Sequence, residues 1–382
     1  MISKLSVLYV GSLDLDDIGL EGTAPDARRQ PPERFAEAYW TARELAQLME
    51  ELGFHRLWTA EHHFQREGYE VFPNLILLNT WLATQTQRLE FGCAFNVLPM
   101  WHPIRLAEDY AFADIVTGGR VVLGIARGYH SREVESFGAP MLDQEANRAL
   151  FEEQVELLVK ALTEDSFRHD GAHYTVPPRI PYRGYQLEDV SLVPRPLNRP
   201  LELWQAISSG RSIAWMVPRG IKGMVTLTGE RILDGWLRQF QEEAAAVGRD
   251  VALGEDVCVG VGLYLGDSVE QAMREVEPYH DERYKWFSAF GIVRYTDEEG
   301  RQWGSPGAPS GSPRIEDGVA QGAWLCGPPE HVAERIRALE ERYPGLDQLM
   351  LHWPEGMPKA VFFEQLRRFA AEVVPLLPGF AR

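Results

Sequence analysis

Short apolar runs rich in β-branched residues alternate along this chain with longer stretches whose apolar positions recur every three or four residues. The first run, Leu5–Val10, precedes an amphipathic stretch at Glu33–Leu52. There Phe35, Ala38, Ala42, Leu45, Met49 and Leu52 share one helical face, and Gly53 supplies a stop. Further strands are predicted at His55–Thr59, Leu89–Phe95, Val121–Ala126, Leu201–Ala206, Gly223–Leu227, Val257–Leu265 and Gln348–Trp353. Helices are predicted between them: Pro73–Thr86, one starting near Pro103, Glu145–Leu162, one from Gly210, Glu230–Val247, and one opened by Asp267 with Glu270 at capping-box spacing. Pro328–Arg342 and Ala360–Leu377 flank the last strand. Strands alternating with helices imply a parallel sheet, and eight such units predict a closed (β/α)8 barrel; an open doubly wound sheet is the alternative.

Two segments interrupt the alternation within what reads as one domain over residues 1–382. Phe167–Pro200 carries Pro177, Pro178, Pro181, Pro194, Pro196 and Pro200 and reads as an ordered excursion. Tyr295–Gly322 is rich in Gly, Ser, Pro and acid. Its place after the seventh strand suits either a lid over the barrel mouth or a surface insertion.

Composition narrows the partners. A net charge of −18 and a pI near 5.1 disfavour nucleic acid and anionic membranes. No apolar run is long enough for a membrane span, and the opening residues lack a secretory h-region, so a cytoplasmic protein is expected. Cys93, Cys258 and Cys326 are far apart in apolar runs, as reduced, buried thiols are.

No dinucleotide fingerprint, P-loop or metal-hydrolase pattern occurs, and the first strand lacks the His-x-His of metal-dependent barrels, so no metal is expected. Three clusters fall where a barrel carries its chemistry, at the C-terminal ends of strands. Glu61-His62-His63-Phe64 follows the second strand, and its histidines suit either function or packing. Arg127-Gly128-Tyr129-His130 follows the fourth; an arginine there suits a phosphate or carboxylate, or a surface ion pair. Ser208-Ser209-Gly210-Arg211-Ser212 opens the helix after the fifth, as an anion cradle or as simple capping.

In this order the clusters resemble the bacterial luciferase family of flavin-dependent monooxygenases. The likeness includes Glu61-His62-His63-Phe64, Val97-Leu98-Pro99 and His102-Pro103-Ile104-Arg105-Leu106-Ala107-Glu108-Asp109. It continues through Gly118-Gly119-Arg120, Gly124-Ile125-Ala126-Arg127-Gly128, Phe137-Gly138 and Asn147-Arg148-Ala149-Leu150. It is dense over residues 55–160, looser to about 215, and architectural beyond.

The resemblance implies a phosphate site for FMN at Arg127, Arg148 and Ser208, completed by Arg211 or Ser212; Arg211 departs from the threonine usual in luciferase. It implies a non-proline cis peptide at Ala94–Phe95 beneath the flavin ring, with Phe95 and Asn96 close to it. Glu61 and Ala126 would also contact the cofactor; Ala126 stands where luciferase has a reactive cysteine. His62 matches the catalytic histidine. The implied reaction is that of reduced FMN with O2, through a C4a-peroxyflavin, to oxygenate a small organic substrate. A separate NAD(P)H:flavin reductase would supply the reduced flavin. A homodimer through Pro73–Thr86 and Pro103–Val116 is implied as well. The competing readings are a deazaflavin-dependent oxidoreductase, disfavoured by Glu61 where those relatives carry Asp, and a catalytically silent flavin-binding protein. Tyr129, Trp204 and Trp353 near the mouth hint at a flat or apolar substrate, although core packing explains them equally.

Overall fold

The computed structural model describes residues 1–303 and 312–380. Eight parallel strands form a closed ring in chain order: β1 (Lys4–Tyr9), β2 (Arg56–Thr59), β3 (Glu90–Cys93), β4 (Val121–Ala126), β5 (Leu203–Ala206), β6 (Lys222–Thr226), β7 (Val257–Leu265) and β8 (Gln348–His352). Closure is made by β5 against β4, with Leu203, Trp204 and Gln205 opposite Leu123, Gly124 and Ile125, and by β8 against β1. The fold is the expected (β/α)8 barrel. Helices at Phe35–Leu52, Leu75–Ala83, Pro103–Val116, Gln144–Thr163, Gly210–Met216, Glu230–Ala246, Val269–Phe287, Pro329–Arg342 and Lys359–Arg368 accompany the strands.

The element ends differ from the sequence reading for local reasons. Pro73 stands outside its helix, because Asn74 is the N-cap and accepts from Leu77 N–H at 2.9 Å. Ser268, not Asp267, caps the following long helix by accepting from Gln271 N–H at 3.1 Å. The C-terminal helix is regular only to Arg368; a π turn at Phe369–Val373 and a 3-10 turn at Val374–Leu376 follow, where Pro375 has no N–H to donate. Two short strands of the main sheet were not anticipated. Asn96–Val97 pairs with Ile125–Ala126 of β4, and Trp324–Gly327 pairs with Gly262–Leu265 of β7, whose nine residues outrun β8. The excursion at 167–200 holds two tiny hairpins and an antiparallel bridge from Phe167 to Val190.

The barrel interior is filled from below. Trp58 and Trp204 meet edge to face at 5.4 Å, and Arg56 lies over both rings, 4.9 and 5.8 Å from their centroids. Room for Trp58 comes from Gly92, since a Cβ there would lie 2.0 Å from the indole. Leu8, Val10, Ala60, Ala94, Val122, Met224, Cys258 and Met350 complete this inner cluster. Trp204 is therefore a plug and not a mouth residue. Trp353 is likewise core, stacked on Tyr9 and Phe362. Of the three aromatic hints only Tyr129 faces the cavity.

Of the segment 295–322, the runs Gly304-Ser305-Pro306-Gly307 and Ser310-Gly311 lie outside the described residues. Its remainder forms a short bridge between Thr296 and Gln302 and a helix at Ile315–Ala320. Among the described residues, no helix is long and apolar enough to cross a membrane.

Candidate active site

Because all eight strands run the same way, the segments after β2, β4, β5 and β8 converge on one cavity of about 540 Å³ above the tryptophan plug. Glu61, His62, Ala94, Phe95, Ala126, Arg127, Arg148, Ser208 and Ser212 line it. Asn96 and Arg211 do not. Asn96 is fully buried beside the barrel wall, donating from Nδ2 to Gly124 O at 3.1 Å. Arg211 points to the outer surface, where it pairs with Glu145 at 2.9 Å. The Arg211-or-Ser212 alternative thus resolves toward Ser212 as the residue at the cavity.

Glu61 organises one wall. Its carboxylate accepts from Val97 N–H at 2.8 Å, from Trp101 Nε1 at 2.9 Å, and meets His63 Nε2 at 3.0 Å. Burial raises its pKa, and these donors work against the rise. The loop so held contains the Ala94–Phe95 peptide, which is cis as the resemblance implies.

His62 sits between two carboxylates. Its Nε2 lies 3.1 Å from Glu70 Oε1 and its Nδ1 3.3 Å from Glu133 Oε1. Burial disfavours the imidazolium, but Glu70 and Glu133 outweigh burial and raise its pKa to about 9. The ordinary value near 6.5, which suits a residue switching at neutral pH, does not apply in this environment. At neutral pH His62 is a cation that donates. Burial also opposes the charge on Glu70, yet His62 and His130 hold its pKa down to about 2. Tyr129 Oη donates to Glu70 at 3.0 Å and lies 3.3 Å from His62 Nε2. Its own pKa is pushed well above the usual value by burial and then by Glu70.

His62, Glu70 and His130 bring their ligand atoms within 4.8 Å of one another, close enough to share a cation. Glu70 is already served, however. Oε1 takes Tyr129 and His62, and Oε2 takes His130 and Trp286, both at 3.3 Å. The imidazolium supplies the positive charge that a metal would bring.

Across the cavity, Arg127 donates to Asn147 Oδ1 at 3.1 Å, and Arg148 keeps a buried Nε with no partner among the described residues. Burial lowers the pKa of Arg127, and the neighbouring charges of Arg148 and Arg211 lower it further. Among the described residues neither guanidinium makes an ion pair, although Glu145 and Glu152 act on Arg127 from further off, and a phosphate monoester would pair with both. The serine turn is already in use: Ser209 accepts from Ser212 N–H, and Ser212 Oγ accepts from the N–H groups of Ser208 and Ser209. Capping and facing the cavity therefore coexist.

Sequence reasoning missed the wall built by Arg283, His352 and Glu355. Arg283 Nη1 lies 2.9 Å from His352 Nε2 and is paired with Glu355 Oε1. The only available signal was an arginine on the buried face of the Val269–Phe287 helix and a histidine ending β8.

Comparison with known proteins agrees with this fold. Residues 18–344 match the luciferase-like monooxygenase family, and the chain belongs to that family. The oxygenase component of a flavin-dependent trigonelline monooxygenase from Acinetobacter baylyi is 31% identical over 184 residues, 48% of this chain and 47% of that protein. The chain thus spans about half the length of such curated relatives. The 4-hydroxyprotoasukamycin monooxygenase of Streptomyces nodosus is 25% identical over 87% of this chain and 86% of that one. In fold, the chain superposes with a TM-score of 0.73 and 19% identity on the oxygenating constituent of 3,6-diketocamphane monooxygenase from Pseudomonas putida, solved with FMN, over 99% of both chains.

The raised pKa of His62 fixes a sign for stability. A group raised from 6.5 to about 9 contributes fully below 6.5, and its contribution disappears as pH rises through 9. Urea midpoints of the wild type should therefore fall between those pH values, and His62→Gln should remove that fall while lowering stability overall. Parallel pH profiles for the two proteins would contradict a buried imidazolium.

Proposed function

We propose that the chain is the oxygenase component of a two-component monooxygenase. It would take reduced FMN from a separate NAD(P)H:flavin reductase and use O2 to oxygenate a small organic substrate. The observation carrying this reading is the Arg127–Arg148 pair, short of an anion, in the same cavity as His62. When bound, reduced FMN supplies the electrons that activate O2. The residues of the chain do the rest. Arg127 and Arg148 hold the phosphate, with the Ser208 and Ser212 hydroxyls beside it. Ala94, Phe95 and Ala126 offer an apolar floor for the ring, kept in place by Glu61 through Val97 and Trp101. His62 and Tyr129 present protons at the opposite wall, and Glu70 and Glu133 keep the imidazole charged and oriented. Phe287 and Phe290, packed against Tyr129 and His130, exclude water together with Ile292. Residues 295–303, whose Gln302 reaches the cavity, would cover part of the mouth.

The relatives' names support an oxygenase that works with a partner, and the buried thiols of Cys93, Cys258 and Cys326 suit a reducing cytoplasm. A homodimer is proposed through the helices Leu75–Ala83 and Pro103–Val116, which pack on each other and leave Leu77 70% and Phe112 57% exposed.

Arg127→Ala should weaken FMN by one to two decades while leaving riboflavin nearly unchanged. A charge-assisted hydrogen bond of about 1.5–3 kcal/mol is lost only with the phosphate. Equal losses in fluorescence titrations of both ligands would remove Arg127 from the phosphate site. In the dimer, Leu77→Glu with Phe112→Glu should yield a monomer by light scattering; a wild type of 43.3 kDa at micromolar concentration would end the dimer proposal. His62→Asn should keep most FMN affinity and lose roughly 10²–10⁴-fold in oxygenation rate, with reduced flavin consumed to release hydrogen peroxide. His63→Asn should do less, since its ring is committed to Glu61 outside the Glu70 cluster. Wild-type rate and coupling in the His62 variant would make that residue structural.

A further inference from the structure

The cavity holds a second cationic group, on the stretch that follows the Val269–Phe287 helix. Arg294 lines the cavity with its guanidinium over the Trp236 ring, 5.2 Å from the centroid. Its backbone is fixed, because its carbonyl accepts from Gly229 N–H at 2.9 Å. No ion pair and no side-chain hydrogen bond engages this guanidinium among the described residues. Residues 304–311 consist of Gly, Ser, Pro and Ala, so that stretch brings no carboxylate to it. The contrast with Arg283 is instructive: that side chain is more deeply buried and is neutralised by Glu355. A partly buried cation without a counter-ion costs free energy, which a ligand carrying the opposite charge recovers on binding.

Three further atoms in the same wall are buried without a partner among the described residues: Arg283 Nε, His352 Nδ1 and Glu355 Oε2. Beside them stand the apolar side chains of Phe287, Phe290 and Ile292. This end of the cavity is electrostatically separate from the Arg127 end. The charges acting on Arg127 are those of Arg148, Arg211, Glu145 and Glu152. Burial and then the charge of Arg283 bring the Arg294 pKa down to about 10, with the Tyr284 phenol working against that fall.

We propose that Arg294 binds the carboxylate of the substrate, and that the substrate is an organic acid whose apolar body lies against Phe287, Phe290 and Ile292. Calling this occupant the substrate rests on the monooxygenase reading above; the binding site itself does not. Planar guanidinium and planar carboxylate match in a two-point hydrogen bond, and the Trp236 ring beneath fixes the plane in which the carboxylate is met. The neighbouring unpartnered donor and acceptor atoms leave room for a polar substituent on the same acid.

The test compares acids with their amides, which share shape and lack the charge. Benzoate, phenylacetate and cyclohexanecarboxylate, each beside its amide, are titrated calorimetrically into flavin-free wild type and into Arg294→Met, which keeps the side chain's length and apolar contact with Trp236. At least one acid should bind wild type ten or more times tighter than its amide, and Arg294→Met should erase that preference with amide affinity unchanged. FMN affinity should be the same in both proteins. Equal binding of acids and amides by wild type, or a preference that survives in Arg294→Met, would overturn the proposal. So would an FMN loss in Arg294→Met, because Arg294 would then belong to the phosphate site. Failure of the flavin reading shows separately, as wild type that binds no FMN, while the acid–amide comparison still decides the role of Arg294.

Discussion

The pairing of β5 with β4 is the contact on which the chemistry of this chain depends. It joins residues eighty apart in sequence, Leu203 with Leu123 and Gln205 with Ile125, and turns a twisted sheet into a ring. A ring of parallel strands has one end at which every strand stops, so the segments after β2, β4, β5 and β8 must meet there. Trp58 and Trp204 then block the lower half, with Gly92 giving up its side chain to admit the first of them. What remains open is the upper half, and it is the only place where Arg127, Ser208 and His62 can share a space.

That space is organised by charge rather than by shape. Low dielectric strengthens every electrostatic interaction in it, which makes unpaired groups expensive and paired ones rigid. His62 is the fully paired case: two carboxylates hold its charge and aim both ring nitrogens, so its freedom to accept a proton at neutral pH is given up for position. Arg127, Arg148 and Arg294 are the opposite case, cations in a wall with too few anions. An arrangement that is saturated at one wall and deficient at two others fits the two proposals made above, a phosphate at one deficient place and a carboxylate at the second.

Much of the fold was legible because its signal is local. Alternation of apolar runs with helical periodicity gave all eight ring strands, and the hydrophobic face of Glu33–Leu52 gave the first helix almost to the residue. Trp324–Gly327 escaped because four apolar residues followed by a proline resemble a loop end; only the overhang of β7 makes them a strand. The site was legible where residues are adjacent in sequence, as in Glu61–Phe64 and Arg127–His130. Sequence order could not show that Arg211 faces outward to Glu145, or that Asn96 turns to Gly124, because both depend on which side of a turn the chain presents. Nor could it reveal Glu70, Glu133, Arg283 and Glu355 as partners. Each comes from a different segment, and only barrel closure brings them together.

The most direct measurement is an anaerobic equilibrium titration of the purified chain with reduced FMN and, in parallel, with reduced deazaflavin cofactor. Two arginines placed for a phosphate, with Glu61 securing the loop under an apolar floor, predict reduced FMN binding at least tenfold tighter than the deazaflavin. Tighter binding of the deazaflavin, or no binding of reduced FMN at micromolar protein, would contradict a flavin monooxygenase built on this cavity.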